Sequence, residues 1–473
     1  MLGHVFRIFR SDFRSWVPTI VVIALVTMLI GACMNQFVWT SSDGFRSAAS
    51  AAGLDPAAFG IVSVTIYVLV AVLSFFALTV VGSATVERTR STFAQWRLAG
   101  ASPRQIRVSL WSLVGLASVA GALPGSLLSI GVSIAAIPLF NQMAAVSFPG
   151  GLGEFEPPAF HPSALAWGAS FLLGVITCLL GALLPAGRAA SVEPVEAVRG
   201  LATRRRRGAW ARWVLGGLLL AVALTLALAG AVAPANPEVG VEATGMVNAA
   251  IQAGLFAAAG VYVLGAELAP AVLALTRMLL RPFRAAAVGV LATRSARANV
   301  DTNANMIAPL AAAIGLAGVI FSVMQSYQVT MREAGFPQSS PNYSDTVVMT
   351  GLFGFVCLLT SIAVITLSGR DAVREQALLR TAGMTPRQVF ALTGWQSFLL
   401  ALCAAVFAMI PIGIAASLLV SRSNMLVGHP ILAIPWIGLV IALLACWGTV
   451  FVVQWVQIAP WVRRENALSL RRA

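Results

Sequence analysis

Residues 17–38 have the sequence VPTIVVIALVTMLIGACMNQFV, an apolar stretch that decides the fold. A helix rises about 1.5 Å per residue, so about 20 such residues cross the hydrocarbon core of a bilayer. Two further stretches of this kind, residues 61–81 and 352–367, occur far apart in the chain. Only helices and closed barrels satisfy the backbone inside lipid, and continuous apolar runs of this length favour helices. The sequence therefore predicts an all-α integral membrane protein.

The composition excludes a soluble protein. Of the 473 residues, 59% are hydrophobic and 10% are charged, and the mean hydropathy is +0.87. Soluble domains carry about 25% charged residues. The net charge of +14 comes entirely from arginine, because the sequence contains no lysine. A phosphate-binding P-loop requires a lysine. We therefore expect that this chain is not an enzyme and does not hydrolyse ATP by itself.

The remaining chemistry-bearing residues are scattered. The 5 cysteines lie in or beside apolar runs, and the 3 histidines lie in a terminus and two loops. None has the spacing of a metal site or a catalytic group. The arginines occupy short loops rather than one continuous patch. We expect no cofactor, no metal and no catalytic residue in this chain, and nucleic acid is not a predicted partner.

Ten membrane spans are predicted from the apolar runs. They are residues 17–39, 60–85, 107–138, 163–187, 211–233, 247–275, 304–328, 345–369, 391–420 and 432–458. An even number of spans places both termini on the same side of the membrane. Of the 31 arginines, 28 lie in or beside loops on that side and 3 lie opposite. By the positive-inside rule, both termini are cytoplasmic in a multi-pass protein of the bacterial plasma membrane.

One motif occurs twice, after the second and after the eighth predicted span. Residues 97–106 are RLAGASPRQI, and residues 380–389 are RTAGMTPRQV. The glycine suits the left-handed residue that ends a helix. Serine or threonine, then proline, then glutamine form the capping box of a new helix. Each copy predicts a helix, a tight turn and a second helix at the cytoplasmic surface. A well-capped reversal of the chain direction between two spans, without any further role, would explain one copy. It would not explain why the arginines are repeated in the second copy.

The repeat divides the chain into related halves. Residues 1–200 and residues 285–473 each contain four predicted spans. Residues 201–284 contain two linking spans. Because two is an even number, both halves keep the same orientation, so we predict a parallel repeat of four-helix units.

At these motifs the chain resembles the FtsX-like permeases of ABC transporters, the MacB-type superfamily. Membrane subunits of this superfamily carry E-R-x-x-E-[I/L]-x-x-L-R-A-x-G-A after a second span and D-P-[V/A]-E-A-L-R after a fourth. Residues 87–101 and 374–383 each match the first pattern in part, and residues 193–199 match the second. The layout is similar to single-chain, two-half permeases of Gram-positive bacteria, including those linked to bacitracin-type peptide resistance. Two departures are a short loop at 329–344, where such permeases carry a large external domain, and Asn466 in place of proline.

The resemblance implies a partner, a cytoplasmic ABC ATPase that holds ATP and Mg²⁺ and docks on the membrane subunit as a homodimer. Residues 87–105 and 370–388 are the candidate docking helices, because they are predicted to be cytoplasmic, helical and repeated. A basic face lying against anionic membrane lipid is the alternative interpretation. The candidate docking residues are Glu87, Arg88, Phe93, Trp96, Arg97, Gly100, Ser102 and Pro103 in the first copy and Arg374, Glu375, Leu379, Arg380, Gly383, Thr385 and Pro386 in the second.

The predicted function is a permease subunit that couples hydrolysis by the partner ATPase to export or extraction of a lipid, a drug or an antimicrobial peptide. An ion-coupled secondary transporter would instead need ionisable residues inside the bundle. Glu267 is the one acid well inside an apolar stretch. It is a candidate for an intramembrane substrate path, or it lies at the cytoplasmic end of a span broken near Pro270. A third alternative is an FtsX-like regulatory subunit without transport.

The predicted topology is testable by cysteine labelling. In a variant without native cysteines, new cysteines at Ser47, Ser339 and Ser423 should react with an impermeant thiol reagent in intact cells. Cysteines at Thr92 and Thr203 should react only after permeabilisation, because the positive-inside rule places them in the cytoplasm. Labelling of position 203 from outside would show that a span has been miscounted.

Overall fold

The computed structural model describes residues 6–7, 9–10, 13–51, 74, 78, 96, 100–147, 158–190, 209–233, 239–279, 287–298, 300–335, 358, 361–362, 365–366, 375–376, 378–434 and 436–462. The regular elements among these residues are helices, and they include no strand. In chain order they are α1 Phe13–Thr40, α2 Asp43–Ala51, α3 Pro103–Ser147, α4 Ala164–Ala190, α5 Ala209–Val232, α6 Val239–Leu279, α7 Ala287–Ala298, α8 Val300–Glu333, α9 Pro386–Val427 and α10 Trp436–Val462.

Six of the described helices are long and apolar enough to cross a bilayer. Their spanning parts are Thr19–Thr40, Arg104–Ala135, Arg212–Val232, Met306–Glu333, Pro386–Val427 and Trp436–Ala459. The two arms of α6 add a seventh if they form one broken span, and Ala164–Leu180 is a shorter apolar helix. Each coincides with a predicted span, which supports an all-α, multi-pass membrane protein. The predicted spans at 60–85 and 345–369 lie mostly outside the described residues, so the total of ten and the side of the termini stay predictions.

The helix α6 is sharply bent. Its direction changes by 91° between Ala249–Gly265 and Glu267–Thr276. Pro270 lies inside the helix just after this bend. Because proline has no backbone N–H, the carbonyl of residue 266 loses the hydrogen bond it would otherwise accept. The bend therefore lies where a break near Pro270 was predicted.

The chain forms two compact units, Met1–Arg205 and Arg206–Ala473. The predicted linking spans, α5 and α6, belong to the second unit, where α6 packs against α8 and α9. The domain bounds inferred from the repeat describe duplication of sequence rather than packing, and they stay predictions.

In the first unit, α1 packs against α3 and α4. The contact of α1 with α3 is made through glycines. A Cβ atom on Gly125 would lie 2.3 Å from the carbonyl oxygen of Ala24, and one on Gly121 would lie 2.8 Å from that of Ile20. Glycines four residues apart allow two backbones to approach closely, which is how helices associate in lipid without a hydrophobic driving force.

A buried polar contact joins the same two helices nearer the other end of α1. Asn35 Nδ2 donates to Ser133 Oγ at 3.0 Å, and both side chains are buried. An interhelical hydrogen bond of this kind contributes about 0.6–2 kcal/mol in a membrane. It also favours one rotation of α1 about its axis, because it requires the face that carries Asn35 to lie against α3.

In the second unit, α8 is the innermost of the described helices. Its apolar stretch is 89% buried, compared with 17% for α5 and 11% for α10. Val319 and Val323 of α8 form a cluster with Ile412 and Leu418 of α9 and Ala253 of α6. The exposed apolar surfaces of α5 and α10 suit contact with lipid chains, because a helix in a bilayer loses nothing by keeping such surface outside.

Serine side chains hold the connection between α9 and α10. The Ile431 N–H donates to Ser423 Oγ at 2.8 Å, and the Ala433 N–H donates to Ser326 Oγ at 3.1 Å. Ser423 is therefore buried, with 1% of its surface exposed. The adjacent Asn424 is exposed and is the better position for an introduced external cysteine.

The glycine contact between α1 and α3 predicts a position-specific loss of stability. Gly125→Ala should lower the thermal unfolding temperature in detergent, because the new methyl group meets backbone rather than a movable side chain. Overpacking of this kind costs about 1–3 kcal/mol. Gly131→Ala is the matched control on the same helix, since no atom lies within 4 Å of its Cβ position. Equal unfolding temperatures for the two variants would contradict the close contact.

Candidate functional site

The first copy of the repeated motif forms a capped turn. Gly100 has a left-handed backbone, with φ 92°, and the Ala101 N–H donates to the carbonyl oxygen of Trp96 at 2.9 Å. The Ser102 N–H then donates to Gln105 Oε1 at 2.9 Å, and the Gln105 N–H donates to Ser102 Oγ at 3.3 Å. One helix ends and the next begins within a few residues, as the sequence predicts.

The second copy ends its first helix in the same way. Gly383 has φ 97°, and its N–H donates to the carbonyl oxygen of Arg380 at 3.0 Å. The Met384 N–H donates to the carbonyl oxygen of Leu379 at 3.2 Å. This pair of bonds is the Schellman motif, in which glycine is favoured because other residues are strained at positive φ.

A capping box starts the following helix in the second copy also. The Thr385 N–H donates to Gln388 Oε1 at 2.9 Å, and the Gln388 N–H donates to Thr385 Oγ1 at 3.4 Å. Pro386 and Pro103 are the first residues of α9 and α3. Proline suits this position because its fixed φ is helical and no partner is needed for an N–H. The local geometry predicted from the repeat is confirmed in both copies, while the docking role stays a prediction.

Trp96, predicted as an apolar anchor for a partner, packs into the first unit. It is half-buried and lies with Ala101 against a cluster that includes Phe9, Trp16 and Leu110. Trp96 and Ala101 are the positions whose apolar contact commonly accompanies a Schellman turn. The tryptophan therefore supports the turn from inside, so a substitution there would disturb the turn itself.

Leu379 occupies the same register position in the second copy and also faces inward. With Met384, it packs against Ala292 of α7 and Leu392 of α9. The preceding Leu378 is 54% exposed. Of these two leucines, only Leu378 has a largely exposed side chain.

The exposed surface of the two turns is basic. We call these surfaces the first and second docking faces. The first comprises Gly100, Ser102, Arg104, Gln105 and Arg107, and the second comprises Leu378, Thr381, Ala382, Gly383, Thr385, Pro386, Arg387 and Gln388. Arg104 and Arg387 lie inside the predicted docking segments 87–105 and 370–388 but were not among the individual docking residues. The repeat itself contained the signal for both arginines, since each follows the proline of the motif.

Glu375 does not belong to the docking face. Its Oε1 accepts a hydrogen bond of 2.5 Å from Ser295 Oγ of α7, and Gln396 Nε2 of α9 donates to the same hydroxyl at 2.9 Å. Arg380 is half-buried beside the turn. The second copy of the motif thus combines exposed residues with residues that hold the turn against α7 and α9.

Several predicted docking residues lie outside the part of the chain that the structure describes. They are Glu87, Arg88, Phe93, Arg97 and Arg374. Of Pro103, the structure describes the position in the helix but not the surroundings of its ring. The docking role of all these residues stays a prediction.

Glu267, the predicted acid of a substrate path, forms an ion pair. Its Oε1 lies 3.4 Å from Arg212 Nη1, and only 6% of the glutamate side chain is exposed, compared with 39% for the arginine. Arg212 stands at the start of the spanning part of α5, a position predicted to be cytoplasmic. This pair agrees with the interpretation that Glu267 lies near the end of a broken span, and it neutralises a charge that would be costly in lipid.

The described residues contain no group of three or more histidine, cysteine or acidic side chains that could hold a metal ion. The described cysteines at 33, 178, 403 and 446 are buried and unpaired with one another. These observations concern the described residues alone.

Comparison with known proteins supports the duplication. The sequence model of the FtsX-like permease C-terminal family matches residues 64–194 and 347–464, together slightly more than half of the chain. Each matched segment contains one capped turn and the long helix that follows it. A comparison with curated proteins found no match. The chain therefore belongs to the FtsX-like permease family, whose members are membrane components of ABC-type systems and generally pair with an ATPase.

Proposed function

We propose that this chain is the permease subunit of an ABC transporter in the bacterial plasma membrane, with the single-chain, MacB-type arrangement of two repeated halves. A separate cytoplasmic ABC ATPase would bind ATP and Mg²⁺. The observation that carries this proposal is the pair of capped turns. Both copies have a left-handed glycine, a capping box and an exposed basic surface at corresponding positions.

The stiffness of the turns suits a docking role. Gly383 stands between the Schellman bonds and the capping box, so nearly every backbone group near it has a partner. A segment held in this way would bend little when a partner moves against it, so it would pass that movement on to the helix that follows. Two such turns in one chain fit an ATPase homodimer, with one turn for each protomer.

The chemistry of the docking faces specifies the complementary surface. Arg104 and Arg387 supply positive charge, and Leu378 supplies an apolar anchor beside the second turn. The matching groove on the ATPase would be apolar at its floor and acidic at its rim. Charge complementarity of this kind raises the association rate and selects the partner, and the apolar anchor contributes most of the affinity.

The ion-coupled alternative is weakened by the surroundings of its main candidate. An intramembrane carboxylate that carries protons must exchange them along a path through the bundle. Glu267 instead faces Arg212 within one unit, at the bend of α6. This pairing gives Glu267 a structural role that needs no transported ion.

The substrate class follows from the surfaces that face the bilayer. Exposed apolar side chains line α5 and α10, and examples are Leu218 and Leu228 in α5 and Ile437 and Val456 in α10. A lipid, a hydrophobic drug or an amphipathic peptide would meet these surfaces directly from the membrane. We propose that such a molecule is exported or extracted from the outer leaflet.

The docking role predicts that damage to the turns separates assembly from membrane insertion. Gly100→Val and Gly383→Val place a β-branched residue at positive φ, which costs on the order of 1 kcal/mol or more and redirects the following helix. Each change should reduce the amount of ATPase that co-purifies in mild detergent, and the double change should reduce it further. Expression should stay near normal, because the spans are unaltered. Gly413→Val is the matched control, since no atom lies within 4 Å of its Cβ position in α9. Normal ATPase recovery in the double variant would contradict the docking role and show that the motifs are only capped turns.

The charge of the docking faces predicts a second, milder effect. Arg104→Glu and Arg387→Glu leave the capping boxes intact, so the turns should keep their shape while ATPase recovery falls by about tenfold for the pair. Arg332→Glu is the control, because Arg332 is also exposed but is predicted to lie outside the cell. Unchanged ATPase recovery with weaker binding to anionic vesicles would assign the basic faces to lipid instead.

A further inference from the structure

One hydroxyl group links three elements of the second unit. Ser295 Oγ donates to Glu375 Oε1 at 2.5 Å and accepts from Gln396 Nε2 at 2.9 Å. Glu375 lies in the segment that leads into the second turn, Ser295 lies in α7, and Gln396 lies in α9. We call these three residues the Ser295 bridge. Both bonds depend on the same small side chain, so its removal breaks both.

The bridge lies beside an apolar contact between the same elements. Ala292 of α7 is completely buried, and Leu379 and Met384 of the turn pack against its cluster. Residues three apart in a helix share a face, so Ala292 and Ser295 present one side of α7 to the turn. Arg294, which points to another side of α7, is exposed. The short helix α7 is thus attached to the second turn by apolar packing and by a charge-assisted hydrogen bond.

The corresponding positions in the first half carry other residue types. When the two motifs are superimposed on their glycines, Glu375 corresponds to Thr92 and Gln396 corresponds to Leu113. Leu113 is buried in the apolar cluster that supports Trp96, whereas Gln396 donates a hydrogen bond to Ser295. A charge-assisted hydrogen bond is short and directional. It therefore resists sliding of the turn along α7 in a way that apolar packing does not.

The helix α7 connects the turn to the interior of the second unit. It ends at Ala298, and α8 begins at Val300. The apolar stretch of α8 is 89% buried among the other helices of the unit. Because a single residue separates α7 from α8, a displacement of α7 would also move α8, the innermost described helix.

We propose that the Ser295 bridge couples the second turn to α7, so that movement of the docked ATPase is passed to α8. This inference rests on the proposed function. Ser295 and Gln396 are positioning residues in it: they do not contact the ATPase, and they determine how α7 follows the turn. Through this bridge, α7 and the second turn would move as a single body.

Hydrogen–deuterium exchange of peptides that cover α7 tests the bridge directly. It is measured on the full chain alone, with its co-purified ATPase, and with that complex trapped by ATP and vanadate. For the chain alone, Ser295→Ala should speed exchange in α7 by about tenfold, since a hydrogen bond to a charged group is lost. Ser295→Thr keeps the hydroxyl and should behave like the unaltered chain. Ser417→Ala is the control, because Ser417 is exposed and donates to the carbonyl oxygen of Ile414 in its own helix.

In the complex, trapping should change exchange in α7 of the unaltered chain, of Ser295→Thr and of Ser417→Ala. Ser295→Ala should bind the same amount of ATPase, because its docking faces are intact, and should lose that change. The inference would be overturned if trapping changed exchange in α7 of Ser295→Ala as much as in the unaltered chain, or if it did not change exchange in α7 of the unaltered complex. Either result would leave the proposed function standing. Failure of any ATPase to co-purify with the unaltered chain would refute the proposed function and the coupling with it. Unchanged exchange of α7 in Ser295→Ala alone would show that the bridge does not hold the helix.

Discussion

Backbone hydrogen bonding is the constraint on which the rest of this structure depends. Inside a bilayer no water replaces a missing partner, so each unbonded N–H or C=O group costs several kcal/mol. Helices satisfy this requirement along their length, but their first four N–H groups and last four C=O groups have no partner. The two capped turns solve that problem where one helix ends and the next begins. In the second turn the Met384 N–H returns to the carbonyl oxygen of Leu379, and Thr385 and Gln388 satisfy each other's backbone groups.

Close packing is the second consequence of the lipid environment. Helices that are equally apolar inside and outside the bundle gain little from the hydrophobic effect, so they associate where their backbones fit closely. Gly125 meets Ala24 in the first unit, and Gly315 and Gly318 meet Pro411 and Ile412 in the second. Gly125 meets backbone atoms, which cannot yield as a flexible side chain can, whereas Gly315 and Gly318 meet side-chain atoms of their partners. Close packing of helices suits a protein whose proposed role is to carry motion from a cytoplasmic partner into the membrane.

The two halves have the same residue where the backbone conformation requires it. They differ at positions whose side chains contact different neighbours. Gly100 and Gly383 are both left-handed, because no other residue takes that conformation without strain. Trp96 and Leu379 differ in size, yet both fill the space beneath their turns. The positions around these contacts have diverged further, with a buried Leu113 in one half and the hydrogen-bonded Gln396 in the other. Duplication therefore preserved the turn, while side chains near it diverged.

The sequence by itself determined the helical membrane fold, the turns and the family. These features depend on local chemistry: the length of an apolar run, a glycine at a helix end, and a hydroxyl three residues before a glutamine. Only the tertiary structure decided which apolar side chains of the motif are exposed: Trp96 and Leu379 pack against the clusters beneath their turns, and Leu378 lies outside. It also paired Glu267 with Arg212, 55 residues away, and Glu375 with Ser295, 80 residues away. Hydropathy could not predict these pairings, because the polarity of a residue does not show whether its side chain contacts another helix, a lipid or a partner protein.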